Sequence, residues 1–184
     1  SVLPSIGYVK LFSERIIDKT IIIYKGDQLT AYFYLGLSVF LGTADGFLFG
    51  FTQKIGWFYL AIGLSLFSAF SIGKAMYVYY KAQQKLNYFK SFSTLEQNEL
   101  TSEIQTNRLR LDKKAANRRR YLYTLLSSVF LLTGGIIFGE KGLAIGSFVP
   151  VILYAGIEFC ISLLSEFRLW EYQRQLEKQQ NSAE

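Results

Sequence analysis

Histidine is missing from all 184 residues, and cysteine occurs once, at Cys160. Without histidine, His-ligated haem, chlorophyll and zinc sites are excluded, and so is a catalytic triad or dyad built on imidazole. One thiol can neither close an intramolecular disulfide nor hold an iron–sulfur cluster. Lying inside an apolar run, Cys160 reads as a small hydrophobic residue. The sequence also lacks a P-loop, a dinucleotide glycine fingerprint, an HExxH and a GxSxG. Neither an enzyme nor a cofactor or metal is therefore expected. The opening stretch "SVLPSIGYVKLFSERIIDK" has no basic start, apolar core and small-residue cleavage site, so it is not a signal peptide. With Ser in place of Met at position 1, the natural start of the chain is left open.

Charge is scarce in four long runs: Thr30 to Phe51, Ile55 to Gly73, Tyr121 to Phe138, and Leu143 to Leu164. Each is near the roughly 20 residues that cross a hydrocarbon core of about 30 Å. A soluble bundle of 21.1 kDa cannot hide four helices that are apolar all round. The expected fold is thus an all-α integral membrane protein with four transmembrane helices.

Lys and Arg fall almost wholly outside these runs. Lys10, Arg15, Lys19 and Lys25 precede the first, ten lie between Lys81 and Arg120, and Arg168, Arg174 and Lys178 follow the fourth. The two short connections carry only Lys54 and Lys141. The positive-inside rule then puts both termini and the middle segment on the cytoplasmic side, or its organellar equivalent. The aromatic clusters at 32–34, 57–59, 77–80, 121–123 and 170–172 agree, since such residues anchor at headgroup level.

One phrase occurs twice. "SVFLGTADGFLFG" at 38–50 returns as "SVFLLTGGIIFG" at 128–139, each opening an ascending span. Each descending span then leads into a polar, Gln-rich stretch, "YYKAQQKL" and "EYQRQLEK". Two tandem hairpins, a parallel internal repeat, are the expected plan. Inverted repeats, common in alternating-access transporters, would need opposite orientations. Five regions follow: an N-terminal interfacial segment (1–29), hairpin one (30–80), a basic segment (81–120), hairpin two (121–168) and a polar tail (169–184).

Small residues recur at four-residue spacing. Ser38, Gly42, Gly46 and Gly50 mark the first span, Ala61, Ser65, Ala69 and Gly73 the second, and Gly135 and Gly139 the third. Lipid supplies no hydrophobic force between helices, so close backbone approach must hold them together. These faces are expected to pack within the chain or between copies.

Three ionisable residues interrupt the spans, where charge is rare and usually paired. At 1.5 Å per residue, Lys74 lies roughly 27 Å and Glu158 roughly 22 Å from the outer ends, so the two can meet. Otherwise Lys74 would snorkel to the headgroups, and Glu158 would carry a proton or line a polar path. Asp45, nearer the outer end, is expected to reach Lys54, Lys141 or water, or to form a cation-attracting rim around an oligomer axis.

Residues 6–17 put Ile6, Val9, Phe12 and Ile16 on one face, predicting an amphipathic helix lying on the inner leaflet. "TIIIYKGDQ" reads as an extended link into the first span. "STLE" at 93–96 fits a capping box that opens a long helix running into the third span. Arg118, Arg119 and Arg120 at its membrane entry suit anionic headgroups. Nucleic acid is the rival partner, but no recognition motif accompanies the charge. The expected function is a homo-oligomeric membrane assembly, a channel or membrane-perturbing effector. The alternative is an accessory subunit of a larger membrane complex, docked through its basic helix.

Overall fold

The structure is a computed structural model that describes residues 3–51, 54–91 and 97–183. It contains four helices: α1 (Leu3–Phe51), α2 (Ile55–Lys90), α3 (Gln97–Phe138) and α4 (Lys141–Ala183). All four are long and apolar enough to cross a membrane. At 36 to 49 residues each, they also far exceed that need. At 1.5 Å per residue α1 is about 70 Å long, so every helix overshoots its apolar run at the end that carries both termini.

Helices α1 and α2 pair antiparallel, as do α3 and α4, and the two pairs meet mainly where α2 lies against α4. Helix α1 also touches α4. Among the described residues the backbones of α1 and α3 stay more than 8 Å apart, so that side of the bundle is bridged only by side chains.

Two apolar clusters hold the bundle. One lies beyond the apolar runs and takes residues from all four helices: Ile17 and Tyr24, Leu86 and Phe89, Leu100 and Ile104, Tyr172 and Leu176. Spacings of three and four put each helix's share on one face. The other is Leu41, Leu64 and Phe67, backed by Tyr154 and Ile157, inside the apolar runs. Helix α3 contributes nothing to it.

Three sequence expectations change. The extended link is absent, because α1 continues helical through "TIIIYKGDQ" and across the boundary at residue 29. Burial of Thr20, Tyr24 and Ala31 on one face holds it, which outweighs the helix penalty of about 1 kcal/mol at Gly26. The segment 81–120 is not one unit: residues up to Lys90 complete α2, and Gln97 starts α3. The tail is no loose polar end either, since Leu169, Tyr172 and Leu176 are buried on α4. The capping box at 93–96 lies outside the described residues.

Candidate functional site

The structure brings Lys74 of α2 and Glu158 of α4 together. The Lys74 ammonium donates to Glu158 Oε2, while Tyr34 of α1 donates its hydroxyl to Oε1 at 2.9 Å. Glu158 retains only 2% of its side-chain exposure and Lys74 26%. The ammonium also sits over the Tyr34 ring, 5.0 Å from its centroid, and 6.0 Å from that of Phe70. Tyr154 closes the group, edge-on to Phe67, Phe70 and Tyr121, the last at 5.9 Å. Glu158 reaches this centre because it lies on the same α4 face as the buried Ala155, Ser162 and Ser165, whose small side chains let α1 and α2 approach. With both carboxylate oxygens engaged, the pair is built as a tie between helices.

A second ionic contact lies one layer toward the termini. Arg110 of α3 donates to Asp27 of α1 at 2.6 Å and covers the Tyr24 ring at 5.3 Å. Lys114, one turn along α3, is half-buried beside them. Burial lowers its pKa; Asp27 and Glu158 oppose that shift, and Lys74 and Arg110 add to it.

Deeper in the terminal cluster, Glu103 is buried between two phenols. Tyr24 donates to Glu103 Oε1 at 2.8 Å and Tyr172 to the same oxygen at 3.1 Å, with Thr20 2.8 Å from the Tyr172 hydroxyl. Burial, with the Glu103 carboxylate alongside, raises both tyrosine pKa values far above the ordinary 10, so both stay donors. Asn107 completes the layer by donating to Leu169 O at 3.1 Å and to Gln173 at 2.9 Å.

Asp45 does not reach Lys54 or Lys141. Its Oδ2 accepts the Ser65 hydroxyl across the α1–α2 seam, and Oδ1 is buried without a hydrogen-bond partner. The small-residue stripes divide. Ser38 and Ala61 are buried and Ser65 faces Asp45, whereas a Cβ at Gly42 would meet Ser68 Oγ only at an ordinary 3.5 Å. Gly46, Gly50 and Gly73 face open space, and Ala69 is exposed. The cause is geometric: at 3.6 residues per turn, a four-residue step drifts about 40°, so the three steps of each stripe turn it about 120° off the face. Gly135 packs on Ala144, where an added Cβ would come to 2.7 Å, while Gly139 ends α3 by bonding back to Gly135 O at 3.0 Å.

The tightest approach joins glycines that the stripe search missed. A Cβ at Gly56 would lie 2.6 Å from Gly142 O, one at Gly146 2.3 Å from Gly56 O, and one at Gly63 2.6 Å from Pro150. This is the α2–α4 seam, and Gly142 with Gly146 already showed the four-residue spacing. Of the basic triplet, Arg118 pairs with Glu166 at 3.3 Å, and Arg119 and Arg120 are exposed.

No protein-family model matches this sequence, and no curated protein or solved structure is significantly similar to it.

Proposed function

We propose that the chain is a non-catalytic integral membrane protein whose copies assemble into a homo-oligomer that changes membrane permeability, as a channel or a membrane-perturbing effector. Its four spans form two tandem hairpins, with both termini on the cytoplasmic side or its organellar equivalent. One observation carries the reading. Of the most apolar 18 residues of α3, 6% are buried by the rest of the chain, against 22 to 28% in the other helices. The outward surface of α3 combines large apolar side chains such as Phe130 and Phe138 with Thr124, Ser127 and Thr133. A Cβ on the neighbouring Gly134 would meet nothing. Lipid covers the large side chains, and the small and hydroxylated ones suit close helix packing. A second copy is the partner we assign to that face, together with the open Gly46 and Gly50 of α1.

The duplicated phrase supports the tandem plan. Thr43 and Thr133 both donate to their own helix four residues back, and Ser38 and Ser128 are both buried. Seven residues after each serine, Asp45 and Gly135 face the partner helix of their own hairpin. Within one chain the cluster of Leu41, Leu64 and Phe67 fills the interior, so a permeation path would run between copies. The accessory-subunit alternative docks through the basic helix, where Arg108, Arg110 and Arg118 are engaged by Glu177, Asp27 and Glu166 and leave Lys113, Arg119 and Arg120 exposed for such a partner.

Sizing of the purified chain in detergent by native mass spectrometry tests assembly, and ion flux from liposomes tests permeability. A discrete multimer that releases ions is expected. A monomer at all concentrations, or a multimer with no flux above empty liposomes, refutes the corresponding part.

A further inference from the structure

The ionic layer between the two apolar clusters contains donors that the chain itself does not use. Lys114 has no carboxylate within 4 Å among the described residues. Arg110 Nη1 is buried without a hydrogen-bond partner, although Nη2 of the same group holds Asp27. Residues four apart share a helix face, so Arg110 and Lys114 stand side by side on α3. Of the neighbouring carboxylates, Asp27 is held by Arg110, Glu158 by Lys74 and Tyr34, and Glu103 by Tyr24 and Tyr172, while Glu166 is ion-paired to Arg118 with its Oε2 unmet by a hydrogen bond. A half-buried cation and an orphaned N–H need an acceptor from outside the chain, because leaving them unmet is costly.

The place where they sit says what can arrive. Helices α1 and α3 keep their backbones more than 8 Å apart, so no helix packing seals the layer on that side. Asp27 stands three residues before the apolar run of α1 and Lys114 seven before that of α3. At 1.5 Å per residue both lie about 5–10 Å outside the hydrocarbon, at the level of lipid phosphates.

We propose that this side of the layer, which side chains alone close, receives the phosphate of an anionic phospholipid on the half-buried Lys114 ammonium, with the covered Arg110 Nη1–H as a second donor once the side chains over it part. The acyl chains run along the exposed apolar surface of α3. The inference rests on the membrane reading above, but not on oligomer formation or flux.

The test is native mass spectrometry of the full delipidated chain in detergent, titrated with phosphatidylglycerol, phosphatidylcholine or inorganic phosphate. Phosphatidylglycerol is expected to bind at about tenfold lower concentration than phosphatidylcholine, whose identical phosphate is already balanced by its own choline cation and gains less from Lys114. Lys114→Gln should abolish most of that preference, and Lys114→Arg should keep it. Lys113→Gln, which removes an exposed charge one residue away on another side of α3, should leave it unchanged. Equal binding of the two lipids, an unaltered preference in a folded Lys114→Gln chain, or an equal loss in Lys113→Gln overturns the proposal. Displacement of the lipid by millimolar inorganic phosphate also overturns it, by assigning the site to a soluble oxyanion. A photoactivatable phosphatidylglycerol on the unaltered chain checks the location independently of any variant: adducts on α1 and α3 near 27–34 and 110–121 support it, and adducts elsewhere refute it. Flotation with phosphatidylcholine vesicles separates the two levels. A chain that fails to float refutes the membrane reading, and one that floats without lipid preference refutes this site alone.

Discussion

Cutting the Lys74–Glu158 tie from its two sides should cost different amounts. Removing one partner of a buried ion pair costs about 3–5 kcal/mol, because the other charge is left uncompensated. Glu158 is 2% exposed and has no route to solvent, whereas Lys74 keeps 26% exposure and can swing outward. Lys74→Met should therefore destabilise by about 3 kcal/mol, leaving the carboxylate with the uncharged hydroxyls of Tyr34 and Tyr121 alone. Glu158→Gln should cost about 1–2 kcal/mol, since the amide oxygen still accepts from Tyr34 and the ammonium relocates. The double variant removes both charges and should lose no more than the milder single change. Its coupling energy then comes to at least about 3 kcal/mol, at the top of the range for contacting residues. Reversible unfolding in mixed micelles, followed by circular dichroism, reads all four proteins. Additive single effects, or a cost below about 0.5 kcal/mol for Lys74→Met, would refute the reasoning.

Three further outcomes follow from the packing. Gly146→Ala puts a methyl 2.3 Å from Gly56 O and 3.1 Å from Leu60 N, which are backbone atoms that cannot swing aside. It should cost about 1–3 kcal/mol of micelle stability, while Gly36→Ala, facing open space, should change stability by less than about 1 kcal/mol; equal effects would contradict the α2–α4 seam. Leu176→Ala empties a fully buried site in the terminal cluster. About 2–5 kcal/mol should be lost, with faster amide exchange at the ends of α2 and α4 and little change in the apolar runs; a uniform change along the helices would count against a separate cluster. Asp45→Asn keeps an oxygen for Ser65 and removes a buried charge whose second oxygen has no partner. Stability should hold or rise, and a loss above about 1 kcal/mol in the same unfolding assay would mean that a partner for Oδ1 exists.

The apolar runs made four helices legible, because length and missing charge need no knowledge of neighbours. The helix extensions were harder to read. Leu169, Tyr172 and Leu176 do carry helical spacing, as do Ala82, Leu86 and Phe89. Between them, however, sit Glu103, Asn107 and Gln173, which a hydrophobic pattern scores as surface although all three are buried and hydrogen-bonded. The Lys74–Glu158 meeting could be anticipated from depth alone, because two charges in apolar surroundings have few alternatives. Lys114 could not, since among ten basic residues of one segment nothing in the sequence marks which of them turns inward. The glycine seam shows the same limit from the other side. Stripes of equal length ran along α1 and α2, but only a pairing of helices could tell that Gly56 and Gly146 meet while Gly46 faces outward.

Two of the buried carboxylates, Glu103 and Glu158, solve a problem that apolar faces leave open. A helix lined with Leu, Ala and Phe loses little burial when it slides one turn, about 5.4 Å, along its neighbours. Helix α1 is tied at two heights instead. Tyr24 donates to Glu103 on α3, and ten residues on Tyr34 donates to Glu158 on α4. A one-turn slip would strand both carboxylates in apolar surroundings at the same time, at about 1–3 kcal/mol or more for each unmet acceptor. Neither tie needs to add net stability to do this, because its effect lies in the penalty on the wrong register. Both ties run from α1 to the second helix pair, which places the specification between the hairpins, where the shared backbone contact is least.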